Sequence, residues 1–144
     1  MMFIKDHQPL LMCSKCYGLL RDDMSEYYTH NFDNNITLCN CKEKDRCNAI
    51  KVDKNVFEIV QRLNQKGYIT TGSCEGHGKQ SISIGYKNIG NTKKIDKSNF
   101  PEGFKLYAVG ILGYKKYNCL SEKRADYKKL LSWIENDLKE KNND

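Results

Sequence analysis

Long hydrophobic runs are missing from this chain of 144 residues. No stretch approaches the roughly 18 apolar residues of a membrane span, and no signal-peptide core follows Met1-Met2-Phe3-Ile4. The expectation is a cytosolic protein, of a cell or of an infected host, with no membrane partner. Arginine is scarce: Arg21, Arg46, Arg62 and Arg124 stand among 24 basic residues. Specific recognition of phosphates and base edges leans on the arginine fork, so a solvated lysine surface stands level with an anion-binding one. There are two prolines. With the abundance of Lys, Asn and Ile, this reflects AT-rich coding and carries no chemistry. Apolar residues make up 39% of the chain, a polar but foldable composition with a modest core. The length suits one ordinary domain, or a small module joined to a compact one. No internal repeat is present.

Cysteine is what the chain does have, with seven residues. In a reducing compartment that number points to metal binding more than to disulfides. Five of them fall in "CSKCYG", residues 13–18, and "LCNCKEKDRC", residues 38–47. Cys13 and Cys16 have the CxxC spacing of a zinc knuckle, a tight turn whose backbone N–H groups point at two thiolates. Gly18 follows and lets the chain fold back over the sulfurs. Cys39 and Cys41 supply a second pair some 20 residues on, spaced CxC, with Cys47 as an alternative ligand to one of them. Four thiolates in a tetrahedron would close a structural Zn²⁺ site, and in so small a module the metal would supply much of the folding free energy. The segment between the pairs, residues 22–38, reads as two short strands joined by an Asp/Asn turn. His30 fits a surface position of that hairpin better than a ligand position.

Charge divides the chain at the same place as the cysteines. Residues 1–50 hold six Lys/Arg against seven Asp/Glu, and residues 51–144 hold eighteen against eleven. The excess concentrates in residues 79–129, with twelve basic side chains and four acidic. Two modules follow: a zinc-ribbon-like module over 1–50 and a basic domain over 51–144, whose partner would be anionic.

The basic module begins with an amphipathic helix. Asp53 suits its N-cap, Val56, Ile59, Val60 and Leu63 form its apolar stripe, and Gly67 ends it. Tyr68–Thr71 reads as a first strand, "SISIGY" (81–86) as a second, and "FKLYAVGILGY" (104–114) as a third, with Gly110 and Gly113 marking a bulge or a close backbone approach. A last helix starts at Ser121 as N-cap, with Glu122 in its first turn and Tyr127, Leu130, Leu131, Ile134 and Leu138 on its buried face. Trp133 sits just off that stripe and reads as core. The fold class is α+β: a small, mostly antiparallel sheet with two helices on one face, preceded by the cysteine module.

The stretch "FEIVQRLNQKGYITTGSCEGHGKQSISIGY", with "FPEGF" at 100–104 and "LLSW" at 130–133, resembles a family of small proteins from bacteriophages and low-GC Gram-positive bacteria. They share an "LNxKGY" helix end and an "SCxGH" turn. The likeness covers about residues 54–138 and implies a fold without implying an activity. It also suggests a host-takeover or anti-defence factor that binds a host protein or a signalling nucleotide. A more distant likeness is to the wybutosine-synthesis tRNA methyltransferases, which use S-adenosylmethionine. Thr70, Thr71, Ser73, Cys74 and Gly76 match their "YYTTSSCSGR" stretch. Gly72, Glu75 and His77 depart from it, and His77 stands where that family has arginine. This likeness implies a small RNA-modifying enzyme.

The turn "GSCEGHGK", residues 72–79, admits four readings. Its glycines permit a tight reversal, with Cys74 packed inward and His77 bonded to a backbone carbonyl. Its exposed N–H groups, with His77 and Lys79, suit phosphate, a nucleotide or an RNA backbone. Cys74 and His77 have metal-ligand spacing, with Cys119 and His7 as the remaining candidate ligands. A Cys74 thiolate activated by His77 would be a nucleophile. The leading expectation is a non-enzymatic, zinc-containing protein that binds nucleic acid or a nucleotide through Ser73, Cys74, Gly76, His77 and Lys79. Lys115 and Lys116, interleaved with Tyr114 and Tyr117, would contribute as in single-strand grooves.

Overall fold

The computed structural model describes residues 9–20, 37–41, 49–74, 76, 80–87 and 98–139. The expected hairpin over 22–38 lies almost wholly outside them. Strand β1, Pro9–Met12, pairs antiparallel with β2, Ile50–Asp53, so that Leu10 faces Val52. Both are buried. Pro9 opens an edge strand, where a missing N–H costs the ladder little. β2 runs across the change in composition at residue 50 and hands the chain directly to the first helix.

That helix, α1 (Phe57–Gln65), forms on the apolar stripe: Val56, Ile59, Val60 and Leu63 are all fully buried. Its start differs from expectation. Asp53 is the last residue of β2, a 3-10 turn at Lys54–Val56 intervenes, and Val56 holds the N-cap position without a side-chain cap. Its end is as expected. Gly67 takes φ +94°, its N–H donates to Asn64 O at 3.0 Å, and Tyr68 N–H donates to Leu63 O at 2.9 Å. That pair of bonds is a Schellman stop, which a left-handed residue makes possible.

The main sheet is antiparallel throughout, in the order β3-β4-β6-β5: β3 Thr70–Cys74, β4 Ser83–Tyr86, β5 Phe104–Tyr107 and β6 Gly110–Gly113. The run expected as one third strand is therefore a hairpin turning at Ala108-Val109. The close approach expected at Gly110 is real, since a Cβ there would lie 2.4 Å from Ile84 O. Helix α2 spans Leu120–Asn136; Cys119, not Ser121, holds its N-cap position, and Glu122 lies in its first turn. Tyr127, Leu130, Trp133 and Ile134 are buried, and Phe100 meets the Trp133 ring edge-on with centroids 4.8 Å apart.

Both helices pack on one face of the sheet, against Ile82, Ile84, Tyr86, Phe104 and Ile111. Leu10, Met12 and Leu19 of the cysteine-rich half, with Val52 just past the boundary, belong to the same core. The segment "LNQKGY" (63–68) accounts for much of the assembly. Asn64 Nδ2 donates to Val60 O and to Thr70 Oγ1, and Asn64 Oδ1 accepts from Thr70 N–H, pinning β3 to α1. Lys66 Nζ donates to the carbonyls of Ile134, Glu135 and Leu138, neutralising the negative end of α2. Tyr68 OH donates to Lys139 O at 2.8 Å.

Candidate metal centre

Two short turns meet at the cysteine cluster. In the first, Cys13 N–H donates to Gly18 O at 2.9 Å and Tyr17 N–H to Cys13 O at 3.0 Å, closing the loop around Cys16. Tyr17 completes it in the left-handed region, at φ 62°. The second turn lies alongside. Leu19 N–H donates to Thr37 O and Cys39 N–H to Leu19 O, at 2.9 and 2.8 Å. The approach is so close that a Cβ on Gly18 would stand 2.5 Å from Cys39 N, which explains the glycine.

The result is convergence. The sulfurs of Cys13, Cys16, Cys39 and Cys41 all lie within 4.8 Å of one another, and Cys13 Sγ is 3.9 Å from Cys41 Sγ. Thiolates bound to one tetrahedral ion at about 2.3 Å would stand about 3.8 Å apart. Lys15 N–H points at Cys13 Sγ and Gly18 N–H at Cys16 Sγ, both at 3.4 Å, the outer contacts that steady thiolate ligands. The residues therefore fit a metal ion. Cys47 lies outside the described residues.

The cluster's acidity is uneven. Burial pushes Cys13 up, but hydrogen bonds from the backbone at Cys16 and Lys15 and from neighbouring thiols outweigh it and bring the thiol down to about 7. Burial raises Cys39, and the shared protons of Cys16 and Cys13 raise it further. Cys41 is pushed up to about 12, first by its hydrogen bond with Cys16 and then by desolvation. The Cys13 thiolate forms readily, and Cys39 and Cys41 hold their protons until a cation displaces them.

Gln61 ties this centre to α1. It is fully buried, and its Nε2 donates to Tyr17 O and Thr37 O at 2.8 and 2.9 Å. Its Oε1 accepts from Thr37 N–H at 3.0 Å and from Arg62 Nη1 at 2.9 Å. One side chain thus holds backbone from both cysteine turns. Nothing in the cysteine spacing points to Gln61, which lies beside the apolar stripe of α1 and not in it.

No known protein family, curated protein or solved structure matches the chain.

The turn at Cys74 is a different object. Cys74 ends β3, half-buried, and its Sγ accepts from Gly76 N–H at 3.4 Å. Gly76 takes φ +83°, and a Cβ on it would lie 2.3 Å from Gln80 O. The buried Lys123 of α2 donates to Gly76 O at 3.4 Å and lies 5.9 Å from the Tyr127 ring centroid. Ser73 is half-buried in β3. His77 and Lys79 lie outside the described residues, as do His7 and His30. Cys119 is exposed at the start of α2.

Lys115 and Lys116 follow β6 and are not on a strand. Lys115 Nζ is 3.3 Å from Asp126 Oδ2, and its aliphatic stem covers Gly103. Tyr117 OH donates to the same carboxylate oxygen at 2.9 Å. Lys115 and Tyr117 are thereby committed to α2, while Lys116 and Tyr114 are exposed. Among the described residues, no helix is long and apolar enough to cross a membrane.

Proposed function

We propose that this is a non-enzymatic binding protein in which a structural Zn²⁺ at Cys13, Cys16, Cys39 and Cys41 supports a basic α+β domain that holds nucleic acid or a nucleotide. Four thiolates of the observed spacing favour zinc over oxygen-preferring cations. One observation carries the ligand class. Strands β3–β6, with residues 80–87 and 104–118, contain Lys87, Lys105 and Lys116, besides the Lys115 paired with Asp126 of α2, and no Asp or Glu. A surface of one sign attracts a polyanion.

A protein partner is the second reading, favoured by the exposed apolar side chains of the β5–β6 hairpin: Tyr107, Val109, Leu112 and Tyr114. Salt separates the two. Binding to a nucleic acid weakens steeply between about 50 and 200 mM salt because counterions are released, whereas apolar docking is nearly indifferent. Metal analysis of the purified chain is expected to give one zinc per molecule. A chain that folds without zinc, or binds no nucleic acid or nucleotide at low salt, would overturn the proposal.

A further inference from the structure

The geometry points to the face of the sheet that carries no helix among the described residues, and not the turn at Cys74, as a platform for a single strand of nucleic acid. This rests on the nucleic-acid reading above and names its surface.

The strand register sets out that face row by row. Cys74, Ser83, Leu112 and Lys105 stand in line across β3, β4, β6 and β5. The next row is Gly72, Gly85, Gly110 and Tyr107. The alternate residues, Ile84, Ile111 and Leu106 among them, point into the core under the helices. The open face therefore carries three adjacent glycines ending at an exposed tyrosine. Tyr107 is 47% exposed and Tyr114 54%. The Lys105 ammonium stands 5.6 Å from the Tyr114 ring centroid. Tyr86 OH donates to Tyr107 O at 2.7 Å, fixing the backbone that presents the Tyr107 ring.

Three features suit this face to unpaired bases on a phosphate backbone. Exposed aromatic rings offer stacking surfaces to any base. Lysine beside them, on strands without a carboxylate, supplies charge complementary to the backbone. The glycines leave a flat bed, and at one of them the fold has no need of glycine. Gly110 is required by its approach to Ile84 O, but a Cβ on Gly72 would meet nothing among the described residues within 4 Å. Gly72 is exposed, and its φ is not left-handed. Any side chain would be accepted there by the protein itself, and a β-branched one would suit the strand better. The space that Gly72 leaves open is space over the platform. A duplex cannot stack its bases on such a face, so a single strand is the form that fits.

The test uses the zinc-loaded full chain and fluorescence anisotropy with a labelled 12-nucleotide oligouridine RNA, an oligothymidine DNA of the same length, and a 12-base-pair duplex. The single strands should bind more tightly than the duplex. Tyr107→Ala with Tyr114→Ala should weaken single-strand binding at least tenfold while the melting temperature falls by only a few degrees, for the lost bond from Gly103 N–H to Tyr114 OH. Gly72→Val should weaken it at least fivefold while the melting temperature holds or rises, a combination that a purely structural glycine would not give. Leu112→Glu, on the same face, serves should the double tyrosine variant prove unstable. Full single-strand binding by these variants would overturn the platform and leave the nucleic-acid reading standing. Equal affinity for duplex and single strand would likewise overturn it. Absence of binding by the unmodified chain would sink both.

Discussion

The cysteine turn at Cys13–Gly18 and the turn at Cys74–Gly76 are built alike and end differently. In each, a backbone N–H two residues on reaches a cysteine sulfur at 3.4 Å: Lys15 to Cys13, Gly18 to Cys16, Gly76 to Cys74. Each also includes a residue with left-handed φ, Tyr17 in the first and Gly76 in the second. What differs is what stands opposite. Across from the first turn come Cys39 and Cys41, and four sulfurs converge. Toward the second comes Lys123, whose ammonium meets a carbonyl. An N–H···S contact is thus a property of tight turns in general. Convergence from a distant segment is what makes a metal site.

The largest expected effect breaks the first turn and spares the second. Removing metal with a strong chelator, or replacing Cys39 by Ser, should unfold the cysteine module and lower the stability of the whole chain. Met12, Leu19 and Val52 share one core with both helices, so the loss should appear in a single melting transition, shifted down by at least about 15 °C. Cys74→Ser should move the melting temperature by only a few degrees. Differential scanning calorimetry of the three samples checks this. Equal shifts for Cys39→Ser and Cys74→Ser would abolish the distinction between the turns.

The acidity of the cluster gives the second effect. Without metal, Cys39 and Cys41 hold their protons at neutral pH, Cys41 up to about 12, while Cys13 ionises near 7. Metal binds the thiolates, so each protonated ligand must lose its proton on binding. Between pH 7 and 9 at least two protons leave, and the apparent affinity should rise at least about a hundredfold per pH unit. Below about pH 7 Cys13 adds one more, so affinity should fall faster as pH falls. Competition titrations with a chromophoric chelator at several pH values read the slope. A slope below one proton per ion would mean that the thiols are already ionised in the metal-free chain.

A third comparison concerns what anchors each turn. Gln61→Leu removes four hydrogen bonds, three of them to the backbone of Tyr17 and Thr37. The cost should be about 2 kcal/mol, from several part-buried bonds lost together. Lys123→Met removes one long bond to Gly76 O and a contact with the Tyr127 ring, and fills the same space with an apolar chain. Replacing a buried ammonium in this way should cost within about 1 kcal/mol. Urea melts of the two variants should differ in midpoint, with the slope unchanged.

How much of this was legible follows from the range of each signal. The stripe of α1, its stop at Gly67 and the ligand spacing of Cys13 and Cys16 are local, and they read correctly. The Ala108-Val109 turn did not announce itself, because neither residue takes a left-handed φ and neither is Gly, Asn, Asp or Pro. The usual two-residue hairpin signal depends on those residues, so β5 and β6 read as one strand. The sequence "TTGSC" has weak strand propensity and is held in the sheet by Asn64 and by pairing with β4, so β3 was placed two residues too early. Gln61 was silent for the same reason: its partners lie 24 and 44 residues away. Lys115 read as a free cation because its partner, Asp126, sits on another element.

The smallest effect on stability is also the most direct view of the contrast between cysteines. Cys119 is exposed, and its thiol is lowered from the ordinary value, chiefly by the Ser121 hydroxyl and then by the Glu122 backbone N–H. Alkylation proceeds through the thiolate, so among the described cysteines Cys119 should be modified first by iodoacetamide at pH 7.5. Cys74, half-buried, should follow more slowly, and the four cluster sulfurs should resist while metal holds them. Modification at Cys119 leaves the core untouched and should change the melting temperature by about 1 °C or less. Adding chelator should bring Cys13, Cys16, Cys39 and Cys41 into reaction together, because one ion protects all four, while the rate at Cys74 stays within about twofold. Peptide mapping by mass spectrometry reads each position separately. Were Cys74 to become reactive in step with the cluster, metal loss would have opened the second turn along with the first, and the Lys123 contact would not be enough to hold it.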